Sequence, residues 1–322
     1  MARALITGVT GQDGSYLAES LVARGWDVHG LATPADPGLP ALLALAPQVQ
    51  VHEGDLADAG GIQSLLDTVR PDHVYNLGGI SSVGLSWERP ILTGLVTGMG
   101  PAAVLEASLR LQERTGRPVR VLQASSAEIF GSPDRAPQDE STPIAPINPY
   151  GAAKAYAHHL VSVYRSRGLH ASTVILFNHE SPRRPDTFVT RKITRAAAMI
   201  ARGKQHRLSL GNLEARRDWG WAPDYVEAIR LAAEHDDPSD YVVATGHAHS
   251  VRDFAEAAFT HAGVNDWQDR IDVDAGLVRP TDARLQVGDA TRAHERLGWT
   301  TTVDFKDMVG RMVDVDLGGT SA

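Results

Sequence analysis

"ITGVTGQDG", residues 6–14, is the stretch whose reading decides the fold. It sets Gly8, Gly11 and Gly14 between an apolar run, "RALITG" (3–8), and a helical pattern, "SYLAESLVARG" (15–25). Glycine here lets the chain turn tightly and lets its backbone approach a bound pyrophosphate. The helix that follows offers the same anion its free N–H groups and the positive end of its dipole. A glycine motif alone is a weak signal, but one that opens a strand–turn–helix unit is stronger. We therefore assign Gly8, Thr10, Gly11, Gln12, Asp13 and Gly14 to a dinucleotide cofactor.

Beyond this turn, short apolar runs keep alternating with helical patterns. They include "DVHGLA" (27–32), "VQVHEGD" (49–55), "IQSLLDTVRP" (62–71), "DHVYNLGG" (72–79), "AAVLEASLRLQERTG" (102–116) and "VRVLQASS" (119–126). That rhythm predicts βαβ units and an α/β fold, a Rossmann-like doubly wound parallel sheet with its ligand at the carboxyl ends of the strands. After "HASTVILFN" (170–178) the rhythm gives way to proline-punctuated loops, Arg-rich segments and short elements. We expect residues 1–175 to form mainly the dinucleotide-binding domain. Residues 176–322 should form mainly a smaller substrate-binding region, interleaved with the last sheet strands.

The 322 residues are 43% hydrophobic and 22% charged, with a net charge of −8. A negative chain is a poor partner for nucleic acid, so an anionic ligand needs a local basic cluster. Cysteine is absent, which excludes disulfides, thiolate metal sites and Cys nucleophiles; we assign no metal. The first residues, "MARALITGVTGQDG", carry too short an apolar run for a secretory signal. No stretch is expected to approach the roughly 18 uncharged apolar residues of a membrane helix. We expect a cytoplasmic protein without a membrane partner.

The spacing Gly-x-x-Gly-x-x-Gly resembles that of the extended short-chain dehydrogenase/reductase superfamily. The resemblance implies adenine contacts from Asp55 and Leu56 in "GDL", and a cofactor lining from "YNLGGIS" (75–81), with Leu77, Gly78, Gly79 and Ser81. The adenosine-ribose reader belongs just after the second strand, in "HGLATPAD" (29–36). There we expect neither an acid at the strand end to accept the ribose 2′-OH nor an Arg to hold a 2′-phosphate.

"NPYGAAK" (148–154) supplies Tyr150 and Lys154, four residues apart and so on one face of a helix. The lysine, with the positive ring of a bound cofactor, is expected to depress the Tyr150 pKa and make the phenolate a base towards a substrate hydroxyl. Ser126 would hydrogen-bond the oxygen being oxidised. Glu128, in "SSAEIFG" (125–131), asks for more. A reductase or 4-epimerase needs no carboxylate there, whereas removing a proton α to a new ketone and expelling water does. Dehydration explains Glu128 best.

Three longer segments, "LFNHESPRRPDTFVTRK" (176–192), "LGNLEARRDWGWAPDYVEA" (210–228) and "RPTDARLQVGD" (279–289), make the chain resemble the GDP-mannose 4,6-dehydratase family. The match runs nearly the whole length. It implies a catalytic set of Ser126, Glu128, Tyr150 and Lys154, and cofactor contacts from these last two, His179 and Arg184. It also implies nucleotide-sugar contacts from Ser126, Glu128, Asn178, Val189, Lys192, Asn212, Arg217, Arg279 and Asp282. The implied reaction oxidises C4 of GDP-mannose, eliminates water across C5 and C6, and returns the hydride to C6. Alternatives are a dehydratase or epimerase for a larger GDP-linked sugar (heptose or octose), a GDP-4-keto-sugar reductase, or a non-catalytic NAD(P) sensor.

Three departures stand out. "LATPAD" (31–36) replaces a basic pair that serves the family in NADP binding and tetramer formation. NADP is therefore the family's expectation and NAD is also allowed, with discrimination weakened. The expected assembly is a homodimer rather than a homotetramer. Ser81-Ser82-Val83 replaces Ser-His-Val, and Leu92 replaces an aromatic; both are expected nearer the nicotinamide and sugar.

Overall fold

In the computed structural model of the chain, the described residues are 1–277, 281, 283 and 285–318. The strands are β1 (Arg3–Thr7), β2 (Asp27–Ala32), β3 (Gln50–Glu53), β4 (His73–Asn76), β5 (Arg120–Ser126), β6 (His170–Leu176) and β7 (Asn178–Glu180). Then follow β8 (Leu208–Leu210), β9 (Arg216–Trp221), β10 (Asp240–Val243), β11 (Ala248–Ser250), β12 (Ile271–Val273) and β13 (Leu285–Gln286). Seven of them form one parallel sheet in the order β10-β6-β5-β4-β1-β2-β3. The order reverses between β1 and β4, and a crevice opens at such a switch point.

One sheet face packs on helices Gln12–Ala23 and Ala222–Glu234; the other packs on Ala59–Val69, Gly100–Thr115 and Pro149–Ser166. β10 and helix Ala222–Glu234 complete the large sheet from the second half of the chain. The remainder builds a separate core from helices Val189–Ala201, Val251–His261 and Phe305–Asp316 around Trp219, Phe254 and Met308. Here β9 is flanked by β7, β11 and β13. This lobe sits over the carboxyl ends of the large sheet, so the cavity between them is built by both halves.

Two sequence expectations need correcting. The helix predicted from residue 102 begins at Pro90 and runs to Thr115, with a π-helical turn over Gly94–Met99. Gly94, Gly98 and Gly100 disguise it, because glycine is a poor helix former; packing overrides propensity. A Cβ on Gly98 would stand 3.6 Å from the Ala153 carbonyl oxygen, so this helix touches Pro149–Ser166 directly. The π turn also aims the buried Thr97, whose Oγ1 accepts from the Ile80 amide at 2.9 Å, pinning the loop after β4. The same helix is long and apolar enough by composition to cross a membrane, contrary to expectation, and half of that stretch is buried against the protein.

Candidate active site

Gly8 adopts φ of +67°, which only glycine tolerates freely, and a Cβ there would lie 2.7 Å from Gly78 Cα. A Cβ on Gly14 would meet the Gly8 carbonyl oxygen at 2.2 Å. The ends of β1 and β4 and the start of the first helix are therefore drawn together too closely for any side chain. This is a cradle of bare backbone at the sheet's switch point, and it fits a dinucleotide pyrophosphate. Leu56 is buried, with its Cδ1 2.6 Å from where a Gly78 Cβ would be; Asp55 is exposed and caps Ala57 N at 2.9 Å.

Gln12 and Asp13 leave this cradle and turn towards β7. Gln12 donates to the His179 carbonyl at 3.1 Å and accepts from Ser181 Oγ at 2.8 Å, so its side chain is spent on joining the lobes. Asp13 accepts from His179 Nε2 at 2.9 Å, while His179 Nδ1 faces the Phe177 carbonyl at 2.8 Å. Both ring nitrogens thus meet acceptors, which requires an imidazolium. Burial opposes that charge, yet the adjacent Asp13 carboxylate raises the His179 pKa; burial likewise opposes the Asp13 charge, and His179 lowers the Asp13 pKa. Arg184 pairs with Glu180 at 3.2 Å and lies over the Phe188 ring.

Ser126 closes β5 and accepts from Glu128 N at 3.2 Å, which starts a short 3-10 turn and leaves its own O–H to donate. Asn148 caps helix Pro149–Ser166 through its Oδ1, 2.7 Å from Gly151 N, and proline follows in the first turn. Tyr150 and Lys154 project from that helix, with Lys154 Nζ 5.9 Å from the Tyr150 ring centroid. Lys154 donates to the Ala124 carbonyl at 2.8 Å. A buried polar chain continues beneath it: Gln123 donates to Ala124 O at 2.7 Å, Asn76 to Gln123 at 2.7 Å, and Thr7 to Asn76 at 2.6 Å. It links the lysine to the strand that enters the glycine turn.

The expected depression of the Tyr150 pKa is not found. Burial pushes it up to about 12, with Ser126 working the other way, and burial brings Lys154 down to about 8. The protein's own lysine does not offset the cost of a buried phenolate, and the positive ring invoked beside it belongs to the cofactor.

Glu128 is gripped by two amides that the sequence did not reveal. Asn148 Nδ2 donates to its Oε2 at 2.6 Å, and Gln286 Nε2, from β13, donates to its Oε1 at 3.3 Å. The signal for Asn148 was present, since Asn before Pro is a helix-start signature. Nothing local marks Gln286.

One cavity of about 420 Å³ brings together Asp13, Leu77, Ser81, Ser126, Glu128, Tyr150, Lys154, His179 and Arg184 with Asn178, Val189, Lys192, Asn212 and Arg217. Arg217 Nη1 donates to the Ala283 carbonyl at 2.8 Å. Arg279 and Asp282 lie outside the described residues. Ser82 and Val83 line the cavity, but Leu92 does not: it sits 39% exposed on the outer face of its helix. An acid does stand near the second strand's end, contrary to expectation. β2 stops at Ala32, and the chain folds back so that Asp36 Oδ2 accepts from Thr10 Oγ1 at 2.9 Å.

A family model for GDP-mannose 4,6 dehydratase matches residues 5–312. The chain is 45% identical over 324 residues to GDP-mannose 4,6 dehydratase 1 of Arabidopsis thaliana, spanning 98% of this chain and 89% of that one. It is 41% identical over 340 residues to the human GDP-mannose 4,6 dehydratase, spanning 98% and 91%. A solved structure of the Thermus thermophilus UDP-glucose 4-epimerase in complex with NAD superposes with a TM-score of 0.85 at 27% identity, covering 99% of this chain and all of the other. The fold is thus shared with sugar-nucleotide epimerases, while the sequence match extends from the first strand to the last helix. On that match, the chain belongs to the GDP-mannose 4,6-dehydratase family.

Proposed function

We propose that this chain converts GDP-mannose to GDP-4-keto-6-deoxymannose with a nicotinamide dinucleotide. The observation that carries this reading is Glu128, which lines the same cavity as Tyr150 and Lys154 and has an amide donor on each oxygen. A 4-epimerase or a 4-keto reductase has no C5 proton for that carboxylate to move.

Gly8, Thr10, Gly11, Gly14, Leu77, Gly78, Gly79 and Ser81 would hold the cofactor, with Asp55 and Leu56 towards its adenine, and His179 and Arg184 towards the reacting end. When bound, the nicotinamide would supply, in its oxidised form, the acceptor for the C4 hydride and the positive charge that favours a phenolate, and, once reduced, the hydride that C6 receives. Tyr150 takes the C4 hydroxyl proton, while Ser126 donates to the same oxygen and Lys154 favours the phenolate. The C4 ketone acidifies the C5–H bond, and Glu128 removes that proton. Glu128 then protonates the departing C6 hydroxyl, so one water is lost and the carboxylate is restored. Once C6 has received its hydride, C5 regains one proton, balanced by the one that Tyr150 took from the C4 hydroxyl.

Asn178, Val189, Lys192, Asn212 and Arg217 are assigned to the GDP moiety, together with Arg279 and Asp282. Arg217 suits a diphosphate through its forked N–H groups. We assign the chain to the cytoplasm as a homodimer. The test is to incubate the purified protein with GDP-mannose and follow the product by mass and NMR. A product lighter by one water is expected; an unchanged mass would point to epimerisation, and the absence of any product to a sensor.

A further inference from the structure

We propose that Asp36 reads the adenosine ribose and that this chain consequently binds NAD in preference to NADP. The proposal rests on the reading of the cavity as a nicotinamide-dependent dehydratase site. The loop after β2 is built to return to the glycine turn. Asp36 N donates to Thr33 O at 3.2 Å, closing a tight turn, and Ala35 takes φ of 57°, a left-handed conformation that costs a residue with a Cβ. The carboxylate then receives the Thr10 hydroxyl on Oδ2 at 2.9 Å and Gly38 N on Oδ1 at 2.8 Å. Gly38 completes the contact, since a Cβ there would stand 2.9 Å from Thr10 Cβ. Thr10 lies between Gly8 and Gly11, so the acid is one hydrogen bond from the backbone cradle that fits the pyrophosphate.

A carboxylate has about four acceptor positions, and the two contacts leave two for a diol. A ribose 2′-OH can donate to one of them. A 2′-phosphate has no proton to give and sets anion against anion. No neighbouring cation relieves this in the surrounding sequence. From Gly25 to Val69 there is no lysine or arginine, while Asp27, Asp36, Glu53, Asp55, Asp58 and Asp67 are present. The strained turn therefore does what an acid at the strand end does in an NAD-binding Rossmann unit, four residues later than its usual place.

Calorimetric titration of protein stripped of nucleotide tests this, with NAD, NADP, and ADP-ribose carrying or lacking a 2′-phosphate as probes. NAD should bind at least about tenfold more tightly than NADP, and the two ADP-riboses should differ in the same sense. Asp36→Asn keeps part of the bonding to Thr10 and Gly38, and Asp36→Ala keeps none. Both should weaken NAD, strengthen NADP, and lower the ratio by about tenfold. If Asp36 only props the loop, both cofactors weaken together and the ratio stands, which overturns the assignment. NADP binding as tightly as NAD to the unaltered protein also overturns it. Binding of neither dinucleotide would bring down the functional reading, and the role of Asp36 with it.

Discussion

Each oxygen of Glu128 meets one amide N–H, and the two donors come from different elements, Asn148 at the start of the tyrosine helix and Gln286 on β13. A carboxylate only accepts, so this pairing fixes its plane as well as its position. Asn148 does two tasks at once, because the side chain that orients Glu128 also caps the helix carrying Tyr150 and Lys154. The acid of the second step is thereby held in register with the base of the first. Gln286 leaves its own Oε1 buried and without a hydrogen-bond partner among the described residues, a cost that structures rarely carry without reason. Glu128→Gln should be accommodated, since Gln286 can turn its amide and offer that oxygen to the new donor. The variant should bind GDP and cofactor as before and lose dehydration by at least about a hundredfold, the lower end for a general base. C4 oxidation should survive, so reduced nicotinamide should accumulate when GDP-mannose is added. Single-turnover absorbance with product analysis checks both halves; near wild-type turnover would show that another group moves the proton.

At the scale of elements, the first helix and β7 are clasped by the Asp13–His179 pair, with Gln12 and Ser181 beside it. His179 also stacks on Tyr225, at 4.8 Å between centroids, which joins the clasp to helix Ala222–Glu234. His179 is buried, but Asp13 stays 21% exposed and keeps Gln12 as a donor, so His179→Asn should cost about 1–3 kcal/mol, the penalty of an unsatisfied polar group. The cost should depend on pH. The His179 pKa is raised on folding, so its contribution is complete below the unfolded value of 6.5 and is lost as pH rises through the higher folded value. The Asp13 pKa is lowered, so its contribution is held above 3.8 and lost as pH falls through its folded value. Urea unfolding of both proteins at pH 6 and pH 9 should show the gap shrinking at the higher pH; a constant gap would mean that His179 is neutral. The clasp could not be read in the sequence, because its members are 166 residues apart. The glycine turn and the Tyr150–Lys154 pair could be read, because turn chemistry and helical spacing are local. The long helix was recognised only from residue 102, since glycine conceals a helix that packing sustains. The return of Asp36 to Thr10 could not be read, because it depends on a left-handed alanine that no pattern announces.

For the whole molecule, the cavity takes its lining from both lobes, while the face that carries the helices Pro90–Thr115 and Pro149–Ser166 looks outward. That face is unusual for a protein surface. Trp87, Ile91, Leu95, Met99, Tyr156 and Val163 are each 41–79% exposed, and they lie on neighbouring helices rather than scattered. A contiguous apolar patch of this kind marks an interaction surface, and two parallel-running helices suit a two-fold contact with the same face of another copy. Because helix Pro149–Ser166 carries Tyr150 and Lys154 on its inner side, such a contact would also brace the catalytic helix from behind. A dimer paired through this face can be broken without touching the cavity. Ile91→Glu with Leu95→Glu places charges on side chains that already face solvent in the single chain, so the fold itself should change by no more than about 0.5 kcal/mol per site. In a dimer they would bury charges without partners, which a standard interface of about 800 Å² per partner cannot absorb. Light scattering should therefore give twice the chain mass for the natural sequence and the single-chain mass for the double variant. An unaltered mass in the variant would place the dimer on another face, and a single-chain mass in both would leave this apolar face without a second copy.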